Sequence, residues 1–336
     1  MSRLRDVVSR SIRYATWRPG FRPLLALALA GCVGASTSSP APVDQTAPGT
    51  WTRLAPLPTP RQEVAAAALR GQVWVIGGFG TAAEPTATVE SYDPATDAWT
   101  SRPPLPVAVH HAAAAVVDDR LFVLGGYTGG RVQWTPLDAV WEWSEARGAW
   151  ESRAPLPTPR GALAAATLGA RIHAVGGATR DPLNAHEVYD PATNRWSVAN
   201  AMPTARDHLA AVAFQGRLWV LGGRSSFFGD QYANVEIYDP AVDAWRTGPP
   251  LPRGRGGLAA VALPDRVLVF GGEAPLRIFE ATEMYETAGG RWIAKAPMPT
   301  PRHGIGAVVV GTRVYVPGGG REPGFAVTGV NEAYAP

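Results

Sequence analysis

The feature that most constrains the fold is a unit of sequence that is written six times from Trp51 to the C-terminus. In each copy a tryptophan is followed 26 residues later by a pair of glycines, and this interval never varies. The copies are Trp51 with Gly77 and Gly78, Trp99 with Gly125 and Gly126, Trp150 with Gly176 and Gly177, Trp196 with Gly222 and Gly223, Trp245 with Gly271 and Gly272, and Trp292 with Gly318 and Gly319. A fixed repeat of this length is typical of proteins that stack one small structural unit many times. We therefore expect residues 51–336 to form a single repeat domain.

Each unit is predicted to contain four short strands. The first is small and apolar, as in "VAAAAL", the second reads "QVWVIGG" or "RLWVLGG", the third ends on an aromatic residue, and the fourth begins at the tryptophan. Two-residue turns such as Arg70–Gly71, Asp118–Asp119 and Gln215–Gly216 join the first two strands. The third-strand aromatic residues are Tyr92, Trp143, Tyr189, Tyr238, Tyr285 and Tyr334. The 37 glycines and 32 prolines agree with an all-β chain of short strands and many turns.

The glycine pair with a downstream aromatic residue and tryptophan, in constant register, resembles the kelch repeat. This resemblance implies an all-β, six-bladed kelch β-propeller, in which each unit forms one blade and the blades pack face to face around an axis. Only the segment from the second glycine to the third-strand aromatic residue varies, with lengths of 14, 17, 12, 15, 13 and 15 residues. The last unit has no fourth strand, whereas the strand at Trp51 has no blade before it. We expect this N-terminal strand to complete the C-terminal blade and close the ring.

A proline-rich link that ends in arginine, written "PLPTPR" twice, leads into the first strand of a blade. In a propeller these links and the variable loops lie on one face, the loop-rich face, and the short turns lie on the other. The link arginines are Arg61, Arg160, Arg206, Arg255 and Arg302, with Val109 in the second unit. They could ring the mouth of the central channel and bind carboxylates or acidic sugars.

The alternative is that each arginine pairs with a glutamate of its own blade. A glutamate stands two residues before the third-strand aromatic residue at Glu90, Glu187, Glu236, Glu283 and Glu332. The unit that has Val109 instead of arginine also has Trp141 instead of glutamate. This joint loss favours structural ion pairs, although ligand binding by the arginines stays open at this point.

Residues on the loop-rich face that depart from the repeat are the other candidates for ligand binding, because a scaffold accounts only for what recurs. The histidine candidates are His110, His111 and His303. The aromatic candidates, suited to sugar rings or peptide side chains, are Tyr127, Trp134, Phe227, Phe228, Tyr232 and Phe325. Glu63, Asp207 and His208 are the candidates for acid–base catalysis. His173 replaces an aromatic residue of a second strand and is predicted to lie in the core.

Several enzyme classes lack their motifs in this sequence. It contains no HExxH, no phosphate-binding glycine loop and no nucleophile elbow. Kelch propellers include copper radical oxidases, whose cofactor joins a tyrosine to a cysteine, and this chemistry is excluded because Cys32 is the one cysteine of the chain. The histidines near the channel mouth come from separate units at unequal offsets, so we predict neither a metal site nor a cofactor.

The N-terminal segment is predicted to direct export. Six arginines precede the apolar run "LLALALAGC", whose end resembles a bacterial lipobox with Cys32 as the acylated residue. We therefore predict a lipoprotein signal peptide over residues 1–31, a lipidated Cys32 with an unfolded tether over residues 32–50, and the propeller over residues 51–336. Outside the signal peptide the chain has 25 basic and 27 acidic residues, which argues against a nucleic-acid partner.

Together these features predict a monomeric propeller, lipid-anchored in the bacterial cell envelope, that binds a protein or glycan on its loop-rich face. The main alternative is an enzyme, because the export signal, the six kelch units and the arginines are similar to those of bacterial sialic acid mutarotase. Mutarotation needs only an acid and a base around a held sugar, which Glu63, Asp207 or His208 could supply.

Overall fold

The computed structural model describes residues 49–130 and 133–336, and these residues form six four-stranded antiparallel sheets without any helix. The six sheets are the blades of a kelch-type propeller, as the repeat predicts. The predicted signal peptide, Cys32 and the tether up to residue 48 lie outside the described residues. Within the described residues, no helix has the length and apolar character needed to cross a membrane.

Each blade is built from four strands that follow one another from the axis outward. Blade 1 contains β2 (Ala65–Leu69), β3 (Gln72–Ile76), β4 (Val89–Asp93) and β5 (Ala98–Arg102). Blade 2 contains β6 (Ala113–Val117), β7 (Arg120–Leu124), β10 (Val140–Ser144) and β11 (Ala149–Ser152). Blade 3 contains β12 (Ala164–Leu168), β13 (Arg171–Val175), β14 (His186–Asp190) and β15 (Arg195–Val198).

The second half of the ring repeats this order. Blade 4 contains β16 (Ala210–Phe214), β17 (Arg217–Leu221), β18 (Val235–Asp239) and β19 (Ala244–Thr247). Blade 5 contains β20 (Ala259–Leu263), β21 (Arg266–Phe270), β24 (Thr282–Glu286) and β25 (Arg291–Ala294). Blade 6 contains β26 (Val308–Val310), β27 (Arg313–Pro317), β28 (Asn331–Ala335) and β1 (Thr50–Arg53).

The strands of each blade are buried to different extents because every blade packs between two neighbouring blades. The middle strands are buried on both faces, as in β7, where Leu121 to Leu124 are 0% exposed. The outermost strands face solvent on most positions. Because two apolar faces of a single sheet can be covered only by other sheets, the core is continuous from blade to blade.

The first described strand, β1, pairs with the last, β28. The register places Trp51 opposite Tyr334 and Arg53 opposite Glu332. The Trp51 ring also meets Phe270 of blade 5 edge-on at 5.7 Å, and its indole N–H donates to the Ala296 carbonyl at 2.9 Å. β1 thus joins blade 6 to blade 5 as well as completing a four-stranded sheet.

A closed ring of backbone hydrogen bonds surrounds the axis at the loop-rich end of the innermost strands. It is formed by one residue per blade, two positions after the link arginine, and we call these six positions the inner ring: Glu63, His111, Ala162, His208, Gly257 and Gly304. Each N–H donates to the carbonyl of the preceding member at 2.8–3.0 Å, and Glu63 closes the circle on Gly304. The inner ring therefore holds its six α-carbons in fixed positions around the channel.

The variable loops contain two small hairpins that the repeat pattern does not predict. They are β8 (Tyr127–Thr128) with β9 (Thr135–Pro136) in blade 2, and β22 (Glu273–Ala274) with β23 (Arg277–Ile278) in blade 5. His173 is 5% exposed and its Nδ1 lies 2.8 Å from His186 Nε2, which confirms a core histidine there.

Candidate functional site

A cavity of about 620 Å³ opens on the loop-rich face above the inner ring. All six repeats contribute to its wall, because links and variable loops converge at this end of the axis. The predicted candidates that line it are Glu63, His111, Asp207, His208, Tyr127, Trp134, Phe227 and Phe325. Lining residues that were not predicted from the sequence include Gln62, Phe79, Arg224 and Glu273. We call this space the mouth cavity.

The floor of the mouth cavity is the inner ring, and its backbone is strained. Glu63, His111 and His208 have φ values of 53°, 55° and 51°. Two of the other inner-ring positions are glycine, which adopts positive φ without steric cost, whereas a side chain there costs about 1–2 kcal/mol. Ala162 shares this conformation with a φ of 52°, so the ring geometry itself imposes the strain, and the functional side chains placed on it at Glu63, His111 and His208 point to a site.

One half of the floor is a charged network centred on His208. His208 Nδ1 lies 2.5 Å from Asp207 Oδ1, and Arg224 donates to His208 Nε2 at 2.8 Å. Arg224 also contacts Asp207 at 3.5 Å and Glu273 at 2.7 Å. Burial raises the pKa of Asp207, but the interactions of its carboxylate with His208 and Arg224 outweigh burial and hold that pKa below its usual value. Asp207 is therefore a carboxylate that orients the His208 imidazole.

The other half of the floor joins Glu63 to two histidines. Glu63 Oε2 lies 3.3 Å from His111 Nε2, and Glu63 Oε1 lies 3.4 Å from His303 Nδ1. Burial raises the pKa of Glu63, yet the surrounding imidazoles hold it well below its usual range. Burial lowers the pKa of His303, but Glu63 and Glu273 outweigh this and leave it raised. His303 therefore takes up a proton more readily than a free imidazole does, which stabilises the Glu63 carboxylate beside it.

His111 differs from His303 because burial dominates its ionisation. Burial lowers its pKa well below the usual value, and Glu63 only partly opposes this. Its Nε2 lies 3.0 Å from His208 Nε2, on a residue 97 positions later in the chain. His111 is therefore a neutral imidazole at the centre of the floor.

Aromatic side chains form one wall of the mouth cavity. Phe79 stacks on His110 at 3.9 Å, and Trp134 lies 5.8 Å from Phe79 and 5.1 Å from His111. Trp134 is 43% exposed, so much of its ring is available to a ligand. Phe325 also contacts Phe79, at 6.1 Å.

The remaining predicted site residues lie elsewhere. His110 is 0% exposed behind Phe79, and burial lowers its pKa to about 3. His303 is also 0% exposed and does not line the cavity. Phe228 is 82% exposed beside the mouth cavity, and neither it nor Tyr232 lines the cavity.

The five link arginines do not line the channel mouth, contrary to one of the two interpretations of the sequence. Their side chains are 0% exposed, and each binds the glutamate of its own blade at 2.5–3.0 Å, so none is free at the channel mouth. Arg160 also donates to the Gly176, Ala174 and Thr158 carbonyls. The second interpretation of these residues, as structural ion pairs, therefore holds, and a ligand-binding ring of Arg61, Arg160, Arg206, Arg255 and Arg302 is wrong.

The blade without this pair replaces it with apolar packing. Val109 is 0% exposed and Trp141 is 4% exposed, and both belong to one hydrophobic cluster with Leu105. Joint replacement of both partners avoids leaving a buried charge alone, which explains why arginine and glutamate disappear together.

The residues that sequence reasoning missed share one signal. Phe79, Ala178, Arg224, Glu273 and Gly320 directly follow the invariant glycine pair, as the predicted Tyr127 does, yet no two blades have the same residue there. Backbone bridges bring this position beside the residue that follows each link arginine, as for Arg224 with Asp207. Variation immediately after an invariant motif was therefore the sign of the wall of the site.

Six blades of this repeat around a mouth cavity define a kelch β-propeller, and the comparisons agree. The family model described as the KLHDC2/KLHL20/DRC7 Kelch-repeats domain matches residues 142–320, and that of the Kelch motif matches residues 60–106 and 108–157. The chain belongs to the kelch-repeat family. This fold supports a protein-binding or similar recognition module.

Two known proteins show how far the likeness extends. The F-box/kelch-repeat protein At1g67480 of Arabidopsis thaliana is 38% identical over 74 residues, which are 21% of this chain and about a fifth, 20%, of that protein. A solved structure, titled Structure of YjhT, superposes with a TM-score of 0.72 over 82% of this chain and 95% of that chain, at 17% identity. At this identity the likeness to YjhT is one of fold alone.

Proposed function

We propose that this chain is an exported, lipid-anchored kelch propeller of the bacterial cell envelope that binds a glycan in the mouth cavity. The observation that carries the proposal is the shape and chemistry of the cavity, about 620 Å³ with an aromatic wall and a charged floor. This volume is in the range of small-molecule sites, whereas protein partners more often need a broad surface. Aromatic rings cover the apolar faces of a sugar, and the floor offers donors and acceptors for hydroxyl groups.

Different residues are suited to the two kinds of sugar contact, stacking on the ring and hydrogen bonding to the hydroxyl groups. Trp134 and Phe325 stand on the rim, where a sugar ring can stack on them. Below them, Glu63, Asp207 and His208 present ionisable groups to the cavity. Gln62 steadies the rim, since its amide donates to the Gly324 carbonyl at 2.7 Å and accepts from the Ala326 N–H at 2.8 Å.

The Trp134→Ala variant is expected to weaken glycan binding by about 10-fold or more, because it removes the most exposed stacking surface of the wall. Binding is measured on a glycan array that includes acidic sugars, followed by calorimetry with the sugars that bind. Leu276→Ala is the matched control, because Leu276 is 96% exposed on the same face and does not line the cavity. An array without any bound glycan, or equal losses in both variants, would contradict the proposal.

A second candidate is a sugar mutarotase, favoured by two contacts at the cavity floor, that of His208 with the Asp207 carboxylate and that of His111 with the Glu63 carboxylate. Such groups can donate and accept the protons of ring opening. Exchange spectroscopy on the sugars that bind the array separates the two functions. Anomer exchange faster than in buffer supports the mutarotase, and unchanged exchange supports the binding module.

A further inference from the structure

Three side chains of the inner ring converge on one point of the cavity floor. A Glu63 carboxylate oxygen, His111 Nε2 and His208 Nε2 all lie within 4.8 Å of one another. His111 Nε2 lies 3.0 Å from His208 Nε2 and 3.3 Å from Glu63 Oε2. We propose that Glu63, His111 and His208 form a binding site for a divalent first-row transition metal, Zn²⁺ or Fe²⁺.

The spacing of two of the three atom pairs fits a shared ion, and the third pair, Glu63 with His208, lies within 4.8 Å. Metal–ligand bonds of about 2.0–2.2 Å place neighbouring ligand atoms about 3.0–3.5 Å apart in octahedral or tetrahedral geometry. The two measured distances, 3.0 and 3.3 Å, fall in this range. Two imidazoles and one carboxylate are also a ligand set that zinc enzymes and non-haem iron enzymes use.

Both histidines have the outer partner that metal-binding histidines need. Asp207 Oδ1 lies 2.5 Å from His208 Nδ1, and His110 Nδ1 lies 2.5 Å from His111 Nδ1. A proton held on Nδ1 leaves the Nε2 lone pair for the metal, and such partners orient the ring. His303 supports the free side of Glu63 in the same way, at 3.4 Å.

The inner ring fixes the three ligands before any ion arrives and leaves the site open on one side. Its backbone hydrogen bonds lock the three α-carbons, and the other three positions, Ala162, Gly257 and Gly304, carry little or no side chain. A Cβ atom at Gly304 would overlap the Glu63 carboxylate, so glycine there preserves the ligand position. The bound ion would face the mouth cavity, where it could polarise a substrate oxygen or activate a water molecule.

Arg224 competes with the ion, because its guanidinium donates to His208 Nε2 at 2.8 Å. Metal binding requires Arg224 to give up this hydrogen bond. Its bond to Glu273 at 2.7 Å and its contact with Asp207 at 3.5 Å remain, so the guanidinium keeps two carboxylate partners. The carboxylates of Glu63, Asp207 and Glu273 offset the positive charge of the ion.

The test uses the full chain, freed of metal with a chelator that is then removed, and titrates it with Zn²⁺ by calorimetry in the absence of sugar. We expect one Zn²⁺ per chain, and at least about 100-fold weaker binding in Glu63→Gln and in His208→Gln. Asp207→Asn, which changes only an orienting partner, is expected to weaken binding by about 10–100-fold. Titration with Co²⁺ supplies a visible spectrum that reports the ligand geometry.

His173→Phe is the matched control, since it removes one of two neighbouring histidines elsewhere and introduces an aromatic residue, as in blades 1, 2, 4 and 6. It should bind Zn²⁺ as the wild type does. Absence of Zn²⁺ binding to the wild-type chain, or wild-type affinity in both Glu63→Gln and His208→Gln, would overturn the proposal. Melting temperatures identify a variant that fails to fold, and His111→Gln then takes its place. Glycan binding does not enter this measurement, so either proposal can fail alone.

Discussion

Deletion of residues 51–58 is expected to abolish the cooperative unfolding transition of the propeller. The deletion removes β1 and leaves blade 6 with three strands and an exposed β28 edge. It also removes the Trp51 contacts to Phe270 of blade 5 and to Ala296 of the link that follows it, and it removes Leu57, which is 2% exposed in the core. In a ring of blades each sheet is stabilised chiefly by its neighbours, so an incomplete blade weakens both of its interfaces.

The measurement is thermal unfolding followed by circular dichroism and by calorimetry. The control deletes residues 38–45, which the sequence assigns to the tether, and should melt as the wild type does. A sharp transition at the wild-type temperature in the chain that lacks residues 51–58 would show that β1 is dispensable for closing the ring.

The Arg160→Ala variant is expected to lose about 3–5 kcal/mol of unfolding free energy, or roughly 6–15 °C in melting temperature. Arg160 is fully buried, and its removal leaves the Glu187 carboxylate buried without a cation. Thr158 still donates to Glu187 at 2.7 Å, but a hydroxyl group does not neutralise the charge. Several carbonyl oxygens also lose their donor, among them Gly176 and Ala174.

Blade 2 supplies the matched control for this prediction. The double variant Arg160→Val with Glu187→Trp copies Val109 and Trp141, which occupy these positions there. Because no buried charge is left unpaired, the double variant should regain part of the stability that Arg160→Ala loses. Unchanged stability in Arg160→Ala together with lost glycan binding would instead make the link arginines ligand-binding residues.

The blades and their registers could be predicted from the sequence because they depend on local, repeated physics. The sequence predicts a turn at Arg70–Gly71, and both residues have the positive φ that such a turn needs. The ion pairs were indicated by blade 2, where Val109 and Trp141 replace the arginine and the glutamate together. The same repetition identifies a departure from the repeat, such as His208, as a candidate for the site. It does not identify the partners of that residue.

The contacts within the site could not be predicted because they join side chains from different blades. The hydrogen bond from Arg224 to His208 depends on the direction in which a long side chain leaves its loop. The stack of Phe79 on His110 buries a histidine that sequence placed at the mouth. His111 and His208 both stand two residues after the link arginine position of their units. Because the closed ring brings equivalent positions together around the axis, their contact can be predicted only once this shared position is recognised.

The central claim is that Glu63, His111 and His208 serve ligand binding, although their strained backbone lowers the stability of the inner ring. The most direct measurement compares the wild-type chain with a variant in which all three residues are glycine, as at Gly257 and Gly304, on the glycan array and by thermal melting. Relief of about 1–2 kcal/mol of strain at each position offsets the lost contacts and the added flexibility of glycine, so we predict a melting temperature near that of the wild type and no glycan binding. Retained glycan binding with a much lower melting temperature would show that these residues serve the fold and not the site.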